Sequence, residues 1–313
     1  MITLEDAIDI HVHAGPELFA RIGDAVDFAT AARDAGMAGL VFKAHHESTV
    51  TRAYFTSLQV PGIDLYGGVV LNDFIGGVNP TAVAAALHQG ARIVWGPTMH
   101  AKHHVEVLGK GTYGVGHMTL APELASAGIS VLDEDGRLLD VMDQIIQLAK
   151  RFDATIATGH LGPDDVRALV LACERAGVRC LLTHVFFLDK SQEFLLDMAG
   201  HGALFEVSAS VAFPLEHFLL RHCGGGMQLE AVASLVSSVG ADRVVISSDC
   251  GQIHNAAPVE ALRSFLNAVK AVGVSEDDIA TMIRSTPRRI LGLSGDPASD
   301  GSSRPDRVAT RGR

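Results

Sequence analysis

Six side chains carry most of the chemistry this sequence can be read for. His11 and His13 stand in Asp9-Ile10-His11-Val12-His13, an apolar run that ends at Ala14-Gly15-Pro16. On a β-strand alternate residues share a face. Both imidazoles therefore aim the same way and can chelate one transition metal, zinc being the usual choice. Alone, His-x-His is a weak signal, because ordinary polar histidines satisfy it too. Three more groups close similar apolar runs: His160 in Thr158-Gly159-His160, His184 in Leu182-Thr183-His184, and Asp249 in Ser247-Ser248-Asp249. The sixth is Lys43, which ends Val41-Phe42-Lys43 and is followed by His45 and His46. A lysine among apolar walls loses part of its preference for the ammonium form.

The elements that would position these groups alternate along the chain. Short β-type runs are expected at 7–12, 38–43, 63–71, 91–95, 154–158, 178–183, 203–207 and 243–247. Helices are expected between them, several marked by end signals: Gly36 closes 24–35, and Asn79-Pro80 opens a helix stopped by Gly90. A last helix is expected near 276–283. Two stretches break the rhythm, the His-, Gly- and Lys-rich 100–122 and the segment from 208 to the glycines at 224–226. Each could be a lid or a subunit contact. Strands alternating with helices imply parallel pairing and right-handed crossovers. The expected fold is an α/β chain forming a (β/α)8 TIM barrel with an additional C-terminal helix. One domain would cover 1–293, and a disordered tail 294–313. An open doubly wound sheet fits less well, because no glycine-rich fingerprint follows the first strand. Gly109-Lys110-Gly111-Thr112 lacks the strand-to-helix setting of a phosphate loop.

In such a barrel the C-terminal strand ends share one mouth. The six residues fall at those ends, with Thr98 and His100 from strand four and Glu206 or Ser208 from strand seven.

Composition narrows the partners. With 36 acidic against 25 basic residues the net charge is -11 and there is no basic tract, so nucleic acid is not expected. No apolar run reaches membrane-spanning length and no secretion signal opens the chain, so a cytoplasmic protein without membrane contact is expected. The four cysteines show no metal or disulfide spacing. Local donors at the mouth (His45, His46, His100 and His254, with Arg52, Lys102, His103, His104 and His117 nearby) suit a small substrate bearing a carboxylate or another anionic group.

The order of these residues resembles the amidohydrolase superfamily: His-x-His on strand one, His on strands five and six, Asp on strand eight. The ending Thr286-Pro287-Arg288-Arg289-Ile290-Leu291-Gly292-Leu293 is similar to that superfamily's usual close. The runs 41–47 and 67–72 resemble a poorly characterised branch of predicted metal-dependent hydrolases. The resemblance spans roughly residues 7 to 293 and implies roles. His11, His13 and Asp249 would bind one divalent ion, and His160 and His184 a second. The ion would be zinc, with manganese, iron and cobalt as alternatives. Strand four ends Trp95-Gly96-Pro97-Thr98, without the bridging group common in the superfamily. Lys43, as a carboxylated lysine, is the substitute for it. With Lys43 an ordinary ammonium, a substrate anion or Glu47 would be its partner. If a single ion binds, His11, His13, His160 and Asp249 would retain it, and His184 would be a general acid or electrophile.

The implied activity is hydrolysis of an amide, cyclic amide or lactone, with Asp249 as proton shuttle and His184 assisting. A single-metal decarboxylase, a phosphoester hydrolase and a non-catalytic binding barrel are the other readings. A homo-oligomer is expected.

Overall fold

The computed structural model describes residues 2–114, 116–185, 191–212 and 229–293. The Gly-rich segment at 224–226 and the tail expected to be disordered lie outside them. Nine parallel strands appear among the described residues: β1 (Ile8–Val12), β2 (Gly39–Phe42), β3 (Asp64–Tyr66), β4 (Gly68–Val70), β5 (Ile93–Trp95), β6 (Thr155–Ala157), β7 (Cys180–Leu182), β8 (Leu204–Ser208) and β9 (Val244–Ser247). They pair in the orders β1-β2-β3 and β4-β5-β6-β7-β8-β9.

β3 and β4 are the halves of one expected strand, broken at Gly67. A Cβ there would lie 2.5 Å from the Val50 backbone nitrogen. Glycine therefore lets the strand pass against the start of the helix Val50–Gln59. The Thr49 N–H donates to the Gly68 carbonyl at 3.0 Å, fixing the bend. On the opposite side the barrel closes through β9 and β1. Asp249 N donates to His11 O at 2.9 Å, and His13 N to Cys250 O at 2.9 Å. With β3 and β4 sharing one position, the result is the expected (β/α)8 barrel.

Helices α1 (Ala25–Asp34), α2 (Val50–Gln59), α3 (Pro80–His88), α4 (Lys102–Leu108), α5 (Asp140–Arg151), α6 (Pro163–Ala176) and α7 (Gln192–Gly200) cover the barrel, with later helices at 229–239 and 258–271. Their ends follow local chemistry. Asp24 caps α1 by accepting from the N–H groups of Val26 and Asp27, and Asp27 returns the contact. Asn79 caps α3 ahead of Pro80.

Two expectations change. The irregular 100–122 stretch contains α4, whose inward residues are His104 and Leu108. A histidine on the buried face hides the apolar period that would have marked the helix. The C-terminal helix runs on past 283. One π turn (Thr281–Ser285) precedes a final turn (Thr286–Ile290), where Pro287 needs no N–H partner. Ile290 and Leu291 from that turn pack with Ile8, Ile10, Val41, Ile93 and Trp95, sealing the barrel opposite its mouth. No helix of the described residues is long and apolar enough to cross a membrane.

The closing seam also depends on Gly251. Its φ is +130°, and an added Cβ would meet the His13 carbonyl at 1.7 Å. Gly251→Ala is expected to destabilise the protein by at least about 2 kcal/mol through strain and displaced backbone. Urea unfolding of the variant against the parent measures it.

Candidate active site

β1 does not alternate simply. Ile8 pairs with Gly39 and Asp9 with Leu40, but Val12 pairs with Phe42, so β1 holds one extra residue between Asp9 and Val12. The bulge lets Ile8 and Ile10 join the barrel floor while His11 and His13 serve the mouth. Asp9 becomes a fastener: its Oδ1 accepts from His11 N at 3.1 Å and from Ser248 N at 3.0 Å. Burial raises the Asp9 carboxyl to about 6.

The two imidazoles converge, with Nε2 atoms 3.2 Å apart. Asp249 Oδ1 lies 3.0 Å from His11 Nε2 and 3.2 Å from His13 Nε2. Lys43 Nζ lies 3.0 Å from His11 Nε2 and 5.5 Å above the Trp95 ring. Ligand atoms about 2.0–2.2 Å from a tetrahedral ion stand about 3.3–3.6 Å apart. The His11–His13–Asp249 triangle therefore needs to open only slightly to hold a divalent cation, and its N, N, O donor set suits one.

Neighbours fix how these rings present themselves. Glu206 Oε1 accepts from His11 Nδ1 at 2.8 Å and from Ser247 Oγ at 2.7 Å. Burial alone would raise the Glu206 carboxyl, but His11 overrides it and holds Glu206 ionised. His11 Nδ1 thus keeps its proton, and Nε2 turns to the cluster. Burial would likewise raise Asp249, yet the facing His11, His184 and His13 hold it well below the usual carboxylate range. Ser210 Oγ donates to Asp249 Oδ2 at 2.7 Å.

His160 and His184 form the second bank. Their rings are 5.5 Å apart, and His184 stacks on His11 at 5.0 Å. His184 Nδ1 is 2.7 Å from Ser208 Oγ, and Nε2 is 3.8 Å from Asp249 Oδ2. The orientation of His160 is relayed from α4. His104 Nε2 is 2.9 Å from Thr112 O, an acceptor, so this nitrogen carries the proton. Burial pushes His104 down to about 4, so the ring is neutral and its Nδ1 accepts from His160 Nδ1 at 2.9 Å. His160, itself held neutral by burial, is left with an unprotonated Nε2, the form a metal ligand needs. Burial also pushes Lys43 down.

The strand ends are kinked to achieve this. His184 has φ +51° and Asp249 φ +50°, the left-handed region that non-glycine residues seldom enter. Strain of this kind is held by surrounding structure and gathers at functional sites.

Of the expected substrate-binding residues, His45 is at the centre. It stacks on His13 at 5.0 Å, and its Nδ1 meets Thr98 Oγ1 at 3.0 Å. His46 is half-buried beside it. The structure places His100 and His254 differently. Both His100 nitrogens meet backbone, Nδ1 accepting from Asp73 N at 3.1 Å and Nε2 donating to Leu124 O at 3.0 Å. His254 pairs with exposed His117 at 3.0 Å on the rim. Arg52 clamps the carbonyls of Ala14 and Pro16, and Lys102 is exposed. Sequence reasoning missed Glu17, Arg21 and Tyr113. Glu17 and Arg21 form a buried ion pair beside His13. Tyr113 reaches His45 Nε2 at 3.5 Å. In sequence each is an ordinary loop residue, so no signal marked them.

Burial lowers His184 to about 4, and His13, His45 and His160 fall well below their ordinary value. Unfolded imidazoles titrate near about 6.5. Between there and about 4 the unfolded chain binds protons that the folded one refuses, so stability present above the window is lost as pH falls through it. For metal-free protein, the urea midpoint is expected to drop from pH 7 to pH 5. His104→Gln should lessen that slope by about one proton. A midpoint independent of pH would contradict the burial of these rings.

Comparison with solved structures supports the barrel. A candidate 2-pyrone-4,6-dicarboxylic acid hydrolase from Pseudomonas putida is 17% identical, with 93% of this chain and 99% of that one aligned at a TM-score of 0.58. An amidohydrolase from Pseudomonas aeruginosa is 12% identical, covering 92% and 97% at 0.60. An organophosphorus hydrolase from Deinococcus radiodurans is 14% identical, covering 91% and 92% at 0.54. At these identities the likeness is one of fold. No functionally curated protein matches the sequence. A family model does match, from residue 6 to residue 206, which takes in the strand ends from His11 to Glu206. The chain belongs to DUF6282, a family of unknown function.

Proposed function

We propose that this protein is a metal-dependent hydrolase that cleaves an amide, cyclic amide or lactone bond in a small carboxylate-bearing substrate. One observation carries the reading: His11 Nε2, His13 Nε2 and Asp249 Oδ1 meet within 3.0–3.2 Å, from opposite ends of the chain. Similar solved structures named as an amidohydrolase, a candidate 2-pyrone-4,6-dicarboxylic acid hydrolase and an organophosphorus hydrolase support it.

His11, His13 and Asp249 would hold a divalent cation, zinc being the expected species. Such an ion supplies Lewis acidity and brings the pKa of a coordinated water down to about 7. The residues around it do the rest. Asp249 is ionised at neutral pH and can take a proton on Oδ2, where Ser210 holds it, then return it to the leaving group. With a single ion bound, His184, whose Nε2 is 3.8 Å from that oxygen, would polarise the substrate's carbonyl oxygen as charge builds on it. The buried walls of Trp95, Tyr113 and Met99 keep bulk water from the reacting groups.

A second ion would be held by His160 and His184, with Lys43 as a carbamate bridging the pair. The depressed basicity of Lys43 supports this, because only the neutral amine adds carbon dioxide. A further group able to hold a cation, His13–Glu17–His45, is a poorer site, because the Arg21 guanidinium already pairs with Glu17 there.

Metal analysis of purified protein supplied with zinc tests the reading. At least one equivalent is expected, lost in His11→Ala. Protein without stoichiometric metal would sink the proposal. About two equivalents falling to one in Lys43→Ala would place Lys43 as the bridge. Asp249→Asn should keep one ion and lose roughly 10²–10⁴-fold in turnover. Removing the group that orients His11, in Glu206→Gln, should weaken zinc affinity about 10–100-fold in chelator competition.

A further inference from the structure

Beside the cluster lies a buried cation whose donors the described residues do not use up. The Arg21 side chain is 2% exposed, and that of Glu17 0%. Arg21 Nη2 donates to Glu17 Oε2 and stands 3.3 Å from His13 Nδ1. Nε and Nη1 are buried and find no acceptor among the described residues. A guanidinium offers five N–H groups and cannot lose its charge. Buried donors of that kind are rarely left unmet, so an acceptor beyond the described residues belongs there.

The His13 contact does not fill the need. Once His13 Nε2 faces a cation, a neutral ring carries its proton on Nδ1, where it opposes the Arg21 N–H instead of accepting from it. Glu17 is also fully committed, because its Oε1 accepts from His45 N at 3.0 Å. That second bond anchors Glu17, and Glu17 in turn anchors one corner of the guanidinium. The charge stands against the cluster, since the ring it faces is that of His13.

We propose that Arg21 binds the substrate's carboxylate beside the His11–His13–Asp249 cluster and so sets specificity, with Glu17 as its positioning residue. The inference deepens the hydrolase reading and rests on it for the identity of the bond broken. It narrows the substrate class. One imidazole ring separates Arg21 from the Asp249 carboxylate, so the anionic group and the scissile carbonyl lie only a few bonds apart. Lactones and cyclic amides bearing a carboxylate near the ring carbonyl fit. A dianionic phosphate fits less well, because Glu17, Glu206 and Asp249 already place three carboxylates around the mouth.

Succinate, dimethyl succinate and inorganic phosphate are suitable probes, titrated calorimetrically into the full chain both as purified and after chelation. Chelation separates an Arg21 contact from an anion that merely ligates metal. Succinate is expected to bind in both states and its dimethyl ester in neither. Arg21→Gln should weaken succinate at least tenfold without changing metal content, and Arg21→Lys should recover part of the loss. Since Arg21→Gln leaves Glu17 buried and alone, Glu17→Gln/Arg21→Gln serves as the paired variant and should show the same loss. If neither variant folds, protection of Arg21 from phenylglyoxal by succinate, read by peptide mass, decides in the parent protein. Unchanged succinate affinity in the variants, absence of protection, equal binding of acid and ester, or tighter binding of phosphate through Arg21 would each overturn the proposal. Binding that depends on Arg21 in a protein without metal or turnover would instead retire the hydrolase reading and leave this one standing.

Discussion

The seam between β9 and β1 is the constraint on which the site depends. It is where the last barrel strand meets the first, and three contacts tie it: Asp249 N to His11 O, His13 N to Cys250 O, and Ser248 N to the Asp9 carboxylate. Each draws residues more than 230 positions apart into hydrogen-bond register. Backbone pairing at this seam places the Asp249 carboxylate between the two imidazoles of β1. The same contacts demand a bulge in β1, a left-handed Asp249 and a glycine at 251, since no other residue lets the backbone pass so close to His13. Stability and site geometry thus share one set of bonds, and a change to either is felt by the other.

Around that seam, the histidines are held from behind. Glu206 takes the outer nitrogen of His11, Ser208 meets that of His184, and His104 that of His160, with Thr112 behind it. Each partner restricts the tautomer or the tilt of a ring before any ligand arrives, which lowers the reorganisation that binding requires. Burial has the complementary effect. It keeps His13, His160 and His184 neutral in a region where unpaired positive charge would be poorly solvated, and neutral imidazole is the ligating form.

The loops over the mouth have a small core of their own. Phe19 from the segment after β1 packs with Met99, Leu108, Tyr113, Met118 and Leu120 from the segment after β5. Tyr113 touches both His45 and His160, so the loop spans the two banks of histidines. Burial, together with Asp249 and Glu17, pushes the phenol well above its usual value and keeps it a neutral donor. A histidine-rich segment that looked irregular is therefore tethered by apolar contacts at both ends of the site.

The sequence by itself determined the alternation of strands and helices, the barrel, and the placing of His11, His13, Lys43, His160, His184 and Asp249 at strand ends. These rest on local periodicity and end signals, which neighbouring residues along the chain create. It could not determine the break at Gly67, the bulge in β1, or α4 with His104 on its inner face. Each of these answers to a backbone or side chain distant in sequence. Nor could it separate His45, drawn in against His13, from His100, whose nitrogens are taken by backbone. Glu17 and Arg21 read as ordinary loop charges until the fold buries them together. Only tertiary structure decides which polar groups lose water and which of them keep a partner, because desolvation depends on what packs around a residue and not on what precedes it.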